Sequence, residues 1–182
     1  MLKRWALYVG SVVLGLAVVG ALLGAFVLAL LYPTLPSLES LTDYQPKVPL
    51  RVLSAEGELL GEFGEERRAV VRIADVPERM KQAILAAEDE RFYQHGGVDY
   101  LSVVRAAYAN LVSGSQQGAG TITMQVARNF FLTREKTITR KLREVLLAWK
   151  IEANLRKDEI LELYVNQIFL GQRAYGFAAA SQ

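Results

Sequence analysis

Cysteine is absent from the 182 residues and histidine occurs once, at position 95. Without a thiol there is no disulfide framework and no thiolate to hold zinc. A lone imidazole provides no HExxH pair and no cysteine–histidine couple, so His95, beside the turn glycines Gly96 and Gly97, reads as a structural hydrogen-bonding residue. The glycine-rich stretch after Ser113 lacks the Lys-Ser/Thr ending of a nucleotide P-loop. Proline is scarce and bunched, with four of the five between Pro33 and Pro49. No internal repeat is visible. Net charge is only +2 with a pI near 8.9, a surplus that does not call for nucleic acid. A modestly basic surface suits anionic lipid headgroups or a phosphate-bearing substrate equally well.

Apolar residues make up 52% of the chain and are unevenly spread. From Trp5 to Leu31 no charged residue occurs, and a helix of that length spans roughly 40 Å at about 1.5 Å per residue, enough to cross a bilayer. "LLYPTLPS" follows directly, without the small-x-small site of a cleaved signal, so the segment reads as a retained anchor. Lys3 and Arg4 precede it, which puts the N-terminus in the cytoplasm and everything after Tyr32 outside. Gly10, Gly15, Gly20 and Gly24 read as ordinary glycines of a membrane span. The expected organisation is a cytoplasmic tail (1–4), an anchor (5–32), a proline-bearing stalk (33–49) and one extracytoplasmic domain (50–182). That domain opens with a β-hairpin, Leu50 to Phe63, around an Ala-Glu-Gly turn, and continues mostly as helix.

Asp75, with Pro77 and Glu78 after it, predicts a capped helix start whose apolar positions are Val76, Met80, Ala83, Ile84 and Ala87. Glu88 then falls in the last turn, at the flank of the apolar face beside Leu85 and Phe92. Such a position is partly desolvated and suited to proton transfer near neutral pH; a solvent-facing Glu at a frayed end is the competing reading. Asp99 reads as the N-cap of the next helix, which Gly114 terminates.

Backbone amides of Gly118 to Thr121, at the start of a further helix, suit an anion, with Arg128 one or two turns along; a mobile loop is the alternative. In "EKTITRKLREVLLAWKIEANL" the residues Ile138, Leu142, Val145, Leu146, Trp149 and Ala153 form an apolar face opposite Thr137, Arg140, Lys141 and Glu144. Glu144 with Arg140 and Lys141 reads either as a solvated ion-pair stripe or as part of a basic surface, extended by Lys136 and Arg143, around a pyrophosphate. "RKDEILELYVNQIFLG" predicts one more amphipathic helix, with Asp158 near its start and Gly171 at its stop.

Together these segments resemble the family 51 peptidoglycan glycosyltransferases, the lysozyme-like domain of class A penicillin-binding proteins and monofunctional transglycosylases. Glu88, Asp89, Phe92, His95, Gly97 and Asp99 are similar to that family's first motif. "GAGTITMQVARN" resembles the second motif, "RKLREVLLAWKIE" the third and "KDEILELYVNQIFLG", with Asn166, the fourth. Four ordered motifs within about eighty residues make chance agreement very small.

The resemblance implies a mainly α, lysozyme-like glycosyltransferase domain, cut short, with a small N-terminal β-hairpin and one transmembrane helix in front. It implies polymerisation of lipid II into glycan strands at the outer face of the bacterial inner membrane, with inversion and loss of polyprenyl pyrophosphate. Glu88 would be the general base and Glu144 its assistant. Thr121, Thr123, Gln125, Arg128, Lys136, Arg140, Lys141 and Arg143 would bind substrate, while Asp89, Phe92, His95, Gly97, Asp99 and Asn166 would be structural. The implied partners are lipid II, the growing glycan, the membrane and other cell-wall synthesis proteins. No cofactor is required by the pattern; a divalent cation, Mg or Mn, is compatible with it, although no ligand set is visible.

Three positions depart from the family pattern: Gly120 stands where Ser is usual, Met124 where Gln is, and Arg128 where Lys is. Loss of the hydroxyl at Gly120 is expected to loosen the loop and lower activity. "QRAYGFAAASQ" resembles the start of a fifth motif, so the chain reads as an N-terminal fragment whose helices leave apolar faces uncovered. A lysozyme-type hydrolase, which also uses two carboxylates, and a non-catalytic anchored binding fragment are the alternatives.

Overall fold

An uninterrupted apolar run gives a helix no internal reason to stop, and α1 extends over Leu2–Leu31 before a 3₁₀ turn at Tyr32–Thr34 that contains Pro33. The computed structural model describes residues 2–42, 49–64, 66–114, 117–133 and 137–181. They form two compact units, Met1–Pro36 and Ser37–Gln182. In the first, side chains 8–26 are exposed on every side, and Tyr8–Thr34 is long and apolar enough to cross a membrane, with a mean hydropathy of 2.7. A helix apolar all round is suited to lipid.

The second unit begins with the one-turn helix α2, Glu39–Thr42. Residues 43–48, the rest of the expected stalk, lie outside the described residues. The hairpin follows as expected: β1 (Leu50–Leu53) pairs antiparallel with β2 (Leu59–Phe63), placing Leu50 opposite Phe63 and Val52 opposite Gly61. Its turn is held by the Ser54 hydroxyl, which accepts the Glu56 and Glu58 amides at 3.2 Å each, and by Gly57 at φ +87°. Only glycine enters that region without strain.

A second, unexpected pairing joins β3 (Arg67–Arg68) in parallel to β4 (Ala174–Tyr175). The extended segment after β3 is fastened to α7 (Lys157–Gln167). Asn166 accepts the Val71 amide at 2.9 Å and donates to the Val71 carbonyl at 2.8 Å, while Glu162 accepts the Ile73 amide at 2.7 Å.

Helix α3 is Glu78–Glu88, with Pro77 at its N-cap. The expected cap by Asp75 is not made: Asp75 ends a 3₁₀ turn and its carboxylate is taken by Arg72 at 2.9 Å. An ion pair with a guanidinium competes directly for the oxygens that would have met the helix amides. Helix α4 (Tyr100–Ser113) agrees with expectation, capped by the Asp99 carboxylate and ended by Gly114 at φ +62°. Leu101, Val104, Tyr108 and Leu111 of α4 are exposed.

The core is α5 (Ile122–Phe131), α6 (Ile138–Glu152) and α7. Ile122, Val126, Leu147, Ile151, Ile160, Leu161 and Val165 are at most 1% exposed, and burial of each aliphatic side chain contributes roughly 1.5–3 kcal/mol. The face of α6 differs from the one its spacing predicts. Glu144, Leu146, Leu147, Ala148 and Ile151 are buried, whereas Ile138 is 83% and Leu142 40% exposed. The charge on Glu144 is met by its own helix neighbours, so the carboxylate can turn inward. Helix α7 also ends earlier than expected: Ile168 is already extended, and Gly171, at φ +93°, lies in the turn leading to β4. The pairing of Phe169 with Tyr175 draws the chain out of the helix. A last turn of helix, α8, spans Phe177–Ala180. The unit is thus mainly α with a small hairpin, as expected.

Candidate active site

Glu88 is the last residue of α3. Its side chain is exposed, contrary to the partly desolvated position its spacing suggests. In α3 only Ile84 is buried, with Ala86 and Ala87 exposed beside Glu88, so the helix end projects into a cleft. There Gln125 of α5 donates Nε2 to Glu88 Oε2 at 2.7 Å. The cleft is about 370 Å³ and its wall includes Glu88, Gly120, Met124, Arg128, Lys141 and Glu144.

Glu144 faces it from α6 with a side chain only 2% exposed. Arg140 donates to Oε1 at 2.7 Å and Lys141 to Oε2 at 3.0 Å. Both are charge-assisted bonds, and they offset much of the desolvation cost of a buried carboxylate. Lys141 also lies 3.7 Å from Met124 Sδ, so the methionine that replaces the usual glutamine forms part of the lysine's seat. Arg128 is shared between this cleft and a second one of about 410 Å³, which Asn129, Gln167, Phe169 and Tyr175 help to line.

The turn behind Glu88 is held from several sides. Asp89 accepts the Ile122 amide at 3.1 Å and lies 2.9 Å from His95 Nε2. Arg91 pairs with Asp99, whose Oδ2 also accepts the Ser102 hydroxyl at 2.7 Å. Phe92 is fully buried. Gly97 sits at φ +89°, and a Cβ there would come within 2.9 Å of the Ala148 carbonyl, so the turn rests directly on α6.

Of the expected substrate-binding residues, Gln125, Arg128 and Lys141 reach the cleft. Thr121 and Thr123 are buried and spent internally: Thr121 donates to the Gly97 carbonyl at 2.6 Å and caps α5, and Thr123 donates to Glu152 at 2.6 Å. Arg140 acts on Glu144 and is not part of the cleft wall. Arg143 likewise lies off that wall, with Nε buried and without a hydrogen-bond partner among the described residues. Lys136 lies outside the described residues. Asn166 is not part of the cleft wall and holds Val71.

Tyr164 lies on the inner face of α7, in the core. It is 1% exposed; burial first, then the charge of Glu88, push its hydroxyl well above the ordinary phenol range, with Arg128 pulling the other way.

Residues 56–182 match the family described as Transglycosylase. The chain belongs to the transglycosylase family. Among its relatives, penicillin-binding protein 1A of Neisseria meningitidis serogroup A is 57% identical over the whole chain and 23% of its own length. Penicillin-binding protein 1A of Neisseria gonorrhoeae is 60% identical over 92% of this chain and 21% of its own length. The protein of the same name from Pseudomonas aeruginosa is 55% identical over 84% of this chain and 19% of its own length. The chain thus spans less than a quarter of the length of these relatives. Within this chain the cleft carries two carboxylates of opposite setting, Glu88 exposed and Glu144 buried between cations.

Proposed function

We propose that this transglycosylase chain carries the active site of a peptidoglycan glycosyltransferase that polymerises lipid II. The observation that carries the reading is one cleft lined by an exposed carboxylate, Glu88, and the cations Arg128 and Lys141. Glu88 takes the proton from the acceptor's sugar 4-hydroxyl as that oxygen attacks the donor's anomeric carbon. The new bond is between the 4-oxygen and that carbon; the bond between the carbon and the phosphate oxygen breaks, and its electron pair leaves on the polyprenyl pyrophosphate. Attack from the face opposite the leaving group inverts the centre. Arg128 and Lys141 stand where negative charge develops on the pyrophosphate, and fixed cations lower that barrier without reorganising. Glu144 fixes Lys141, with Arg140 completing its charge balance.

Family membership, and relatives named penicillin-binding protein 1A, support the reading. Helix α1 would hold the domain at the outer face of the inner membrane, beside a lipid-borne donor, with Lys3 and Arg4 on the cytoplasmic side. Among the described residues no three side chains of the His, Cys, Asp or Glu type converge as a cation site.

The test supplies detergent-solubilised protein carrying this chain with polyprenyl-pyrophosphoryl disaccharide-peptide. Polymeric glycan with an inverted linkage is the expected product. Release of soluble sugars from finished glycan, or binding without turnover, would overturn the assignment.

A further inference from the structure

Lys157 opens α7 with its ammonium largely enclosed. Nζ donates to Glu152 Oε1 at 2.7 Å and to the His95 carbonyl at 2.6 Å, and it sits 4.3 Å from the centre of the Phe92 ring. The side chains are 20% and 10% exposed for Lys157 and Glu152. The same Glu152 oxygen accepts the hydroxyl of Thr123 at 2.6 Å. Thr123 is fully buried, two positions before Gln125 on the same helix. A polar chain therefore runs from Thr123 through Glu152 and Lys157 to His95. It ties α5, the end of α6, the start of α7 and the turn after Glu88 to one another.

This pair is not a surface helix pair. Glu152 closes α6 and Lys157 begins α7, with a break between them. An enclosed ion pair contributes little net stability, because desolvation consumes most of its attraction. What it does supply is a fixed separation between the groups it bonds. Those groups border the two side chains that meet in the cleft: His95 belongs to the turn behind Glu88, and Thr123 to the helix of Gln125.

We propose that Glu152 and Lys157 are positioning residues for Glu88, setting the distance between the turn that follows it and the helix whose Gln125 grips its carboxylate. The proposal rests on the glycosyl-transfer reading, since Glu88 is the base whose placement the pair controls. Removing Lys157 frees the His95 carbonyl and the Phe92 ring. Asp89 to Ile122 and Thr121 to Gly97 still hold the other end of the turn, so the fold survives while the base drifts.

The experiment compares Lys157→Met, Lys157→Arg and Glu152→Gln in the full-length protein, reading kcat and KM for polymerisation, thermal stability, and amide hydrogen exchange over residues 92–97. For Lys157→Met and Glu152→Gln, kcat should fall roughly tenfold to a hundredfold, the scale of a displacement of about 1 Å. KM should stay within about twofold, because substrate binding itself is untouched. Exchange over 92–97 should rise, and Lys157→Arg, which keeps a charged donor, should restore most of kcat. Normal kcat in a folded Lys157→Met protein would overturn the proposal. So would a loss that tracks melting temperature and is not rescued by arginine. A wild-type protein that makes no polymer would count against the functional reading instead; unchanged exchange over 92–97 in Lys157→Met would still refute the positioning role.

Discussion

Gln125 grips Glu88 through a neutral amide, 2.7 Å from Oε2. An amide donor orients a carboxylate without neutralising it, whereas a lysine or arginine in the same place would stabilise the charged form and blunt its pull on a proton. The contrast with Glu144 is direct, since that carboxylate is held by two cations, Arg140 and Lys141. One carboxylate is thus held by a neutral donor and the other by two opposite charges.

Glu88→Gln should therefore remove polymerisation while keeping the fold and donor binding. The amide matches the carboxylate in size, and the exposed position tolerates it. A loss of roughly 10²–10⁴-fold in kcat is expected for a general base, measured against donor affinity by equilibrium binding. Undiminished turnover would remove Glu88 from the chemistry.

Arg128 should respond to charge more than to shape. Arg128→Ala is expected to weaken donor use by about 1.5–3 kcal/mol, the range for a hydrogen bond to a charged group. Arg128→Lys should recover most of it, because lysine is the residue usual at this motif position. Equal damage from both substitutions, in kcat/KM for the lipid-linked donor, would point to packing instead.

Gly120 lines the cleft, and a Cβ built there meets nothing within 4 Å. The first atom of a side chain therefore meets no neighbour there, and serine is the residue the family resemblance implies. Gly120→Ser should leave thermal stability unchanged or slightly raised, since the unfolded chain loses freedom, and should increase kcat/KM for the donor. A drop in kcat/KM would show that the glycine is required by this chain's loop.

Acid should act through Asp99. Burial alone would push its carboxyl up, but hydrogen bonds from Ser102 and from the Arg91 guanidinium outweigh that and hold it below the usual carboxylate range. A carboxyl held low in the folded state adds stability above the pH at which it titrates when unfolded, about 4. That contribution drains away as pH falls through the lower folded value. Asp99→Asn should be less stable than the parent by about 1–3 kcal/mol at pH 7, and urea denaturation should show the gap narrowing below about pH 4. A constant gap would mean that the charge on Asp99 plays no part.

Local signals carried far in this chain. Hairpin alternation, the Asp99 cap and the Gly114 stop are short-range features, and the structure bears them out. A helical wheel assigns Glu144 of α6 to water; Arg140 and Lys141, four and three positions away, supply the compensation that lets it go inside. The parallel pairing of Arg67–Arg68 with Ala174–Tyr175 joins segments too far apart for periodicity to register. The Glu152–Lys157 pair was invisible for a different reason: five positions is not a helical spacing, and only the break between α6 and α7 brings the two together. The motif residues were legible as a family resemblance, but their division into cleft wall and internal support was not. Thr121 and Thr123 look like ligands in a list of polar residues, and in the fold their hydroxyls are already taken.

The two hydrogen bonds between Asn166 and the backbone of Val71 are those an adjacent strand would make. With β3 fixed at Arg67–Arg68 and the Ile73 amide fixed by Glu162, the segment between is fastened at three points by main-chain atoms. Within it Val70 faces solvent. What the fold measures here is length. The segment works as a ruler, indifferent to much of its lettering but not to an added or missing residue, which would put every fastening out of step.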